Sequence, residues 1–320
     1  MNTEQLLEIL KLRPANKLEI WDQMKTLSLS RFLSSVVSSV LLLVVLKVKM
    51  NIVGAYLFAV MSSKENAKSA DFDISPLDPS QVRKSNFGVG EDGDPVLTDE
   101  ESTEDANDEV NTLQLRYLNN IRYFVEKQLP ILLDDCEEIV ERQLSKVKLK
   151  DKLNHDQLKE ICEEVLMKLR ARHTTLNSAR NEFCAYLVDP GWAECDENLD
   201  IYSQLMNDTT KVLESIDCSL VVDKCLQFGL EQALDNFADS FRTTVVPAGE
   251  VSVDDCLTND FVSKELHVAK IIPILNNQIH ELFKVGPNKF LDVLFSQDLL
   301  RKLSRSVYEN TIQEYSLDTC

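Results

Sequence analysis

The sequence predicts an all-α protein, a bundle of long helices, and three observations carry that prediction. Only 8 glycines and 9 prolines occur in 320 residues, well below the usual shares of about 7% and about 5%. Strand-and-turn folds need those residues as punctuation, so their scarcity favours long helices. Apolar residues recur at helical spacing through most of the chain, which is the mark of amphipathic helices. Alternating runs long enough for a useful strand are missing, and no fixed-period repeat is found.

Asn2 or Thr3 can cap a short first helix running to about Leu12, with Leu6, Leu7 and Leu10 on its apolar side. Pro14 ends it. Asn16 followed by Glu19 resembles a capping box and opens the next helix. No proline lies between Pro14 and Pro76, so this helix is expected to reach Met61. It contains the strongest apolar run, Phe32 to Leu46, bounded by Arg31 and Lys47. A membrane helix needs about 20 predominantly apolar residues. This run is shorter and holds Ser34, Ser35, Ser38 and Ser39, whose i,i+4 pairing makes a narrow face that a neighbouring helix can approach. Lys47 and Lys49 then interrupt before the apolar pattern resumes at Ile52. A helix buried in a bundle is expected rather than a membrane span.

Residues 62 to 110 differ in kind: rich in Ser, Asp, Glu, Gly and Pro and without helical periodicity, they read as a disordered acidic insert within a single domain spanning 1–320. Helical spacing then returns. Leu115, Leu118, Ile121, Val125 and Leu129 mark one helix, and Pro130 suits the first turn of the next, whose stripe runs Leu133, Cys136, Val140, Leu144 and Val147. Asn154 caps a third. The segment from Asp189 to Trp192 reads as a turn. Two helices are expected at about 198–216 and 220–241, a polar loop at about 243–262, a helix from Leu266 to Lys284 kinked by Pro273, and a final helix from about Asp298 to Gln313.

The net charge of −19 is unevenly spread. Glu91 to Glu109 hold ten acidic side chains and no Lys or Arg, so a solvated segment carries much of the excess. Such a surface repels phosphate backbones, which argues against nucleic-acid binding. The eight cysteines include no CxxC pair and none at zinc-ligand spacing to the four histidines. Cys136, Cys162 and Cys225 fall at apolar helix positions, where a reduced thiol behaves as a small hydrophobe. No HExxH, glycine-rich phosphate loop or GxSxG elbow is present. Acidic pairs such as Asp134-Asp135 and Glu163-Glu164 lie on polar helix faces. No enzyme, cofactor or metal is expected.

Lys17, Trp21 and Met24 fall at i, i+4 and i+7 and share one helix face. Such a face can serve the core or a partner. Ile20, Met24 and Leu27 define an adjoining face that can pack inwards, with Met24 at the boundary.

Four blocks, in order along the chain, resemble the peroxin-3 family. The segment Arg13-Pro-Ala-Asn-Lys-Leu-Glu-Ile-Trp-Asp22 is similar to that family's RPxNKLEIW signature, and the run from Leu42 to Gly54 to its VVLLRVQLNIIGG-type stretch. Leu234 to Arg242 and Ala269 to His280 resemble its carboxyl-terminal blocks. The family's paired glycine reads Gly54-Ala55 here, and the acidic insert is longer than the family loop.

The resemblance implies an elongated, twisted bundle of antiparallel helices facing the cytosol from the peroxisomal membrane. The family's targeting sequence and single anchor would precede these blocks and are expected outside this chain. It implies a monomeric docking receptor whose groove takes the amino-terminal amphipathic helix of a chaperone, peroxisomal biogenesis factor 19, and so enables insertion of peroxisomal membrane proteins. The positions carried over are Leu7, Leu10, Lys17, Trp21, Met24 and Leu57, with Trp21 as the anchor. A general scaffold or tether at the organelle membrane is the alternative.

Overall fold

The computed structural model describes residues 6, 8, 12, 16–70, 101–172, 183–188, 200–244 and 261–317. Helices dominate it, as the scarcity of glycine and proline implies. The axis of the molecule is α1, Lys17–Ala70, a single helix of 54 residues. It is followed by α2 (Glu101–Asn119), α3 (Leu129–Leu144), α4 (His155–Ala171), α5 (Ile201–Leu213), α6 (Ile216–Asp235), α7 (Val268–Leu282), α8 (Lys289–Phe295) and α9 (Asp298–Leu317). Helices α3, α5, α6, α7 and α9 all pack on α1, α9 most extensively.

That arrangement explains the composition of α1. By length and apolarity it could cross a bilayer, yet 72% of its most apolar window is buried inside the fold. Phe32, Leu33, Val36, Val37, Val40 and Leu41 are each fully buried, and the apolar residues surround the helix rather than forming one stripe. Such a pattern belongs to a helix enclosed by others. The serines serve the close approach expected of them. Ser30, Ser34, Ser35 and Ser39 each donate their hydroxyl to a carbonyl four residues earlier, which leaves a small outer surface. Cys136 of α3 comes near enough for its Sγ to lie 3.6 Å from the Ser30 carbonyl.

Helix α1 also extends beyond its expected end at Met61, reaching Ala70, while α2 begins at Glu101. The region assigned to an insert at 62–110 is therefore helical at both margins, because Gly54 and Pro76 leave no helix breaker between them. Residues 71–100 lie outside the described residues, as do the turn at 189–192 and most of the polar loop at 245–260.

Capping chemistry sets most other boundaries. Asn154 and Gln157 form a full reciprocal box: the Gln157 N–H donates to Asn154 Oδ1 at 2.8 Å and the Asn154 N–H to Gln157 Oε1 at 3.0 Å. Asp200 and Ser215 accept from Ser203 and Cys218 and start α5 and α6. These caps move the expected starts at about 198 and 220 to Ile201 and Ile216. Pro130 stands in the first turn of α3 as expected. Its missing N–H is accommodated by a π turn at Phe124–Gln128, where the Leu129 N–H reaches back to the Phe124 carbonyl. Pro273 lies inside α7 without ending it. Asn288 accepts from Phe290 and Leu291 and opens α8, a helix without a predicted counterpart.

The strands are short connectors. β1 (Lys152–Leu153) pairs antiparallel with β4 (Leu266–His267), and β2 (Arg242–Thr244) with β3 (Phe261–Ser263).

Polar groups are buried inside the bundle as well. Lys49 is 1% exposed, its Nζ 4.1 Å above the Tyr117 ring and 3.4 Å from both the Tyr117 carbonyl and Met206 Sδ. Burial pushes its pKa down to about 7. The Tyr117 hydroxyl meets Thr209 Oγ1 at 2.5 Å, and Tyr315 donates to buried Asp208 at 3.0 Å. The cysteines behave as expected of buried thiols: burial raises Cys136 and Cys225 to about 11 and pushes Cys162 higher still, so they stay protonated and unreactive. Cys195, Cys256 and Cys320 lie outside the described residues.

Candidate docking surface

Helix α1 starts where the capping pair was expected, although in a different form. Asn16 Nδ2 donates to Glu19 Oε2 at 3.4 Å, and the Asn16 carbonyl accepts from the Glu19 and Ile20 N–H groups. The first turns of α1 then present two faces. Inwards, Ile20 and Met24, 5% and 2% exposed, join Leu6 and Ile272 of α7 in a small second core, separate from the main one. Outwards, Lys17 and Leu18 are exposed, Leu18 at 75%. Trp21 stands between the two faces. It is half-buried, and it packs with Leu27 and Leu149 against the small core.

Distant segments are pinned to make this end. Lys25 is buried and its Nζ reaches the Leu144 carbonyl at 3.2 Å, the Val147 carbonyl at 2.6 Å and Asp22 Oδ1 at 3.2 Å. An ammonium at the carboxyl end of α3 satisfies carbonyls that the helix leaves unpaired and opposes the negative end of its dipole. The Ala269 N–H donates to the Leu149 carbonyl and the Val268 N–H to that of Asp151. The first turn of α7, bearing Ile272, is thereby held beside Leu149. The result is an apolar shelf with a half-exposed indole, an exposed leucine and a rim charge at Lys17.

Of the six expected site residues, this shelf gathers Lys17 and Trp21. Leu7 and Leu10 lie outside the described residues. Met24 sits in the small core beneath the shelf, because i+7 from Lys17 lies close to the boundary with the inward face. Leu57 lies apart from the shelf. It follows Trp21 by about ten turns of the same helix, roughly 54 Å at 1.5 Å per residue, and packs against the main core. A single short helix cannot touch both. Leu149 and Ile272 were missed because nothing local announces them; only the folded chain brings them to Trp21. Leu18, three residues before Trp21, is exposed beside it and was not among the expected site residues.

Among the described residues no group of His, Cys, Asp and Glu could hold a metal ion. The fold defines an all-α protein. A model of the Peroxin-3 family matches residues 8–310, and the chain belongs to that family. It is 29% identical to peroxisomal biogenesis factor 3 of Mus musculus over 97% of this chain and 75% of the relative. The Bos taurus and Homo sapiens proteins of the same name are 29% and 28% identical with the same coverage. Members of the family are biogenesis factors, and the chain is not an enzyme.

Proposed function

We propose that this chain, a protein of peroxisome membrane biogenesis, is the docking receptor for peroxisomal biogenesis factor 19. Its shelf at Trp21 takes the amphipathic amino-terminal helix of that chaperone. The observation that carries the reading is the half-buried indole over a separate small core, with Leu18 exposed and Lys17 at its rim. A partner helix seats its apolar stripe in such a place and meets a charge at the edge. Tryptophan is the residue most favoured for this work, because its large rigid face excludes water at low entropic cost. Leu7 and Leu10 are carried over to the same role from the family likeness alone. The domain faces the cytosol, where a chaperone with newly made membrane proteins would reach it.

The test is a fluorescently labelled peptide of the chaperone's first helix. The intact chain should bind it, and Trp21→Ala should weaken binding at least about tenfold, a threshold set below the loss of about 2–4 kcal/mol typical of such anchors. Circular dichroism should show an unchanged fold. Undiminished affinity in the variant refutes the shelf as the docking place.

A further inference from the structure

A groove between α1 and the first half of α9 lies far from the shelf. Lys47, on its α1 wall, follows Trp21 by about seven turns of one unbroken helix, roughly 39 Å at 1.5 Å per residue. The groove holds a cavity of about 430 Å³, within the range of about 300–1,000 Å³ usual for ligand sites. Arg301, Ser304, Arg305 and Tyr308 line it from α9. Standing at i, i+3, i+4 and i+7, they share one face of that helix. Across from them the Lys47 Nζ lies 5.1 Å from the centroid of the Phe295 ring, which closes one end.

The charge of this lining runs against that of the chain. The net charge is −19, yet three cations face one hollow that neither Asp nor Glu lines. Lys47 forms no ion pair among the described residues. Arg301 and Arg305 pair along their own helix, with Asp298 at 3.8 Å and Glu309 at 2.7 Å. Those acids stand outside the lining, and exposed pairs of this kind are worth little. A guanidinium carries five N–H donors, so each arginine keeps others for a second acceptor. The hydroxyls of Ser304 and Tyr308 have no hydrogen-bond partner among the described residues, and both of them, like the Lys47 amine, reach solvent. Three like charges around one recess repel each other, and an anion with several oxygens relieves that repulsion.

We infer that this groove binds a phosphorylated peptide segment of a partner protein. The phosphate sits among Lys47, Arg301 and Arg305 and accepts from the Ser304 and Tyr308 hydroxyls. A phosphomonoester brings a charge of about −1.5 to −2 at pH 7 and three acceptor oxygens, which matches three cations and two hydroxyls better than a single carboxylate does. Clusters of arginine are the general means by which such groups are read, because the guanidinium fork meets two oxygens at once. The length of the site argues for a peptide. From Arg301 to Tyr308 the α9 face runs about 10 Å, the span of about three extended residues at about 3.3 Å each. Phe295, 45% exposed, and Leu300, buried beneath the groove, receive an apolar side chain next to the phosphorylated one.

The probe is a blocked tetrapeptide of alanine, phosphoserine, leucine and phenylalanine, titrated into the full chain with methyl-labelled Leu. The same peptide with unmodified serine is the control. The expected result is a saturable shift of the Leu300 methyl signals, with the control at least about tenfold weaker. Replacing Arg301 and Arg305 together by alanine, both exposed, should weaken the phosphopeptide by about tenfold or more while the remaining methyl spectrum stays in place. Tyr308→Phe keeps the ring, which a Cβ at Gly54 would meet at 3.8 Å, and removes only the hydroxyl; a loss of about threefold is expected. No saturable shift at about 10 mM peptide, affinity too weak to be a site, overturns the proposal. So does equal binding of the two peptides, or undiminished binding in both variants. Displacement by inorganic phosphate at equal concentration overturns it in favour of a bare ion site, and displacement by vesicles of phosphatidylserine in favour of a membrane surface. A response abolished by Trp21→Ala overturns it too and places the peptide on the shelf; with that variant silent, the groove and the docking reading stand or fall separately.

Discussion

Replacing Lys49 with methionine should stabilise the protein at neutral pH. The amine is 1% exposed, and burial alone accounts for its fall from 10.5 to about 7. In the unfolded chain the same group titrates near 10.4. At pH 7 the folded state therefore carries a penalty of about 4 kcal/mol for holding the amine where its charge is poorly solvated. Methionine is nearly isosteric with the stem and carries no charge. It gives up the contact over the Tyr117 ring and the bonds to the Tyr117 carbonyl and Met206 Sδ, together about 1–2 kcal/mol. The net expectation is a gain of roughly 2–3 kcal/mol at pH 7, in keeping with the general result that well-packed apolar replacements of buried charge are often stabilising.

The pH profile tests the cause. Between about pH 7 and about pH 10.4 the unfolded chain binds the Lys49 proton and the folded one releases it, so the wild type gains stability as pH rises through that window. Below about pH 7 both states are protonated and this group contributes no further slope. Urea melts at about pH 6.5, 8 and 9.5 should thus show the advantage of Lys49→Met shrinking towards zero with increasing pH. A variant less stable than wild type at pH 7, or an advantage independent of pH, refutes the reasoning and means that the ring and carbonyl solvate the ammonium fully.

Three further outcomes are expected. A Cβ added at Gly229, where α6 crosses α1, would lie 3.4 Å from Val40 Cγ2 and 3.5 Å from Phe290 Cζ. Gly229→Ala should be tolerated and gain up to about 1 kcal/mol of helix propensity, whereas Gly229→Leu should lose about 1–3 kcal/mol by overpacking; thermal melts of the pair decide. Asn154→Ala removes the side-chain half of the α4 capping box, leaving its backbone N–H free to donate to Gln157, and should cost about 1 kcal/mol, read by urea denaturation, with Asn154→Asp largely retaining stability. Lys25→Met should cost about 1–3 kcal/mol, because the carbonyls of Leu144 and Val147 lose their common donor; a smaller loss would show that water reaches them.

What could be seen in the sequence was local. Pro130 in a first turn, the pair Asn154 and Gln157, and the absence of breakers after Pro14 each act within a few residues, so their effect on helix ends is readable without the fold. The apolar run of α1 was readable as buried because its serines and short length fit a bundle better than lipid. Lys49 was not. A lysine within an apolar stretch reads as an interruption, and only α2 and α5, folded over it, turn it into the most enclosed cation among the described residues. The docking shelf divides the same way. The shared face of Lys17 and Trp21 follows from 3.6 residues per turn, but spacing does not say which element covers Met24, nor that Leu57 stays far from Trp21 on a helix that never turns back. Leu149 and Ile272 reach the shelf only through the Lys25 and Ala269 bonds, which no pattern in the sequence foretells.

A bundle built around its first long helix has a consequence for synthesis. Helix α1 needs α9 for its most extensive packing, and the two are separated by more than two hundred residues. At about 5–20 residues per second, a ribosome takes roughly 10–50 s to deliver that cover. Throughout that interval a segment apolar on every side leaves the tunnel unclad, and it resembles the nascent span of a bilayer protein. The chain is thus expected to be a client of general holding chaperones at birth, and truncations near its carboxyl end should aggregate rather than simply lose a helix.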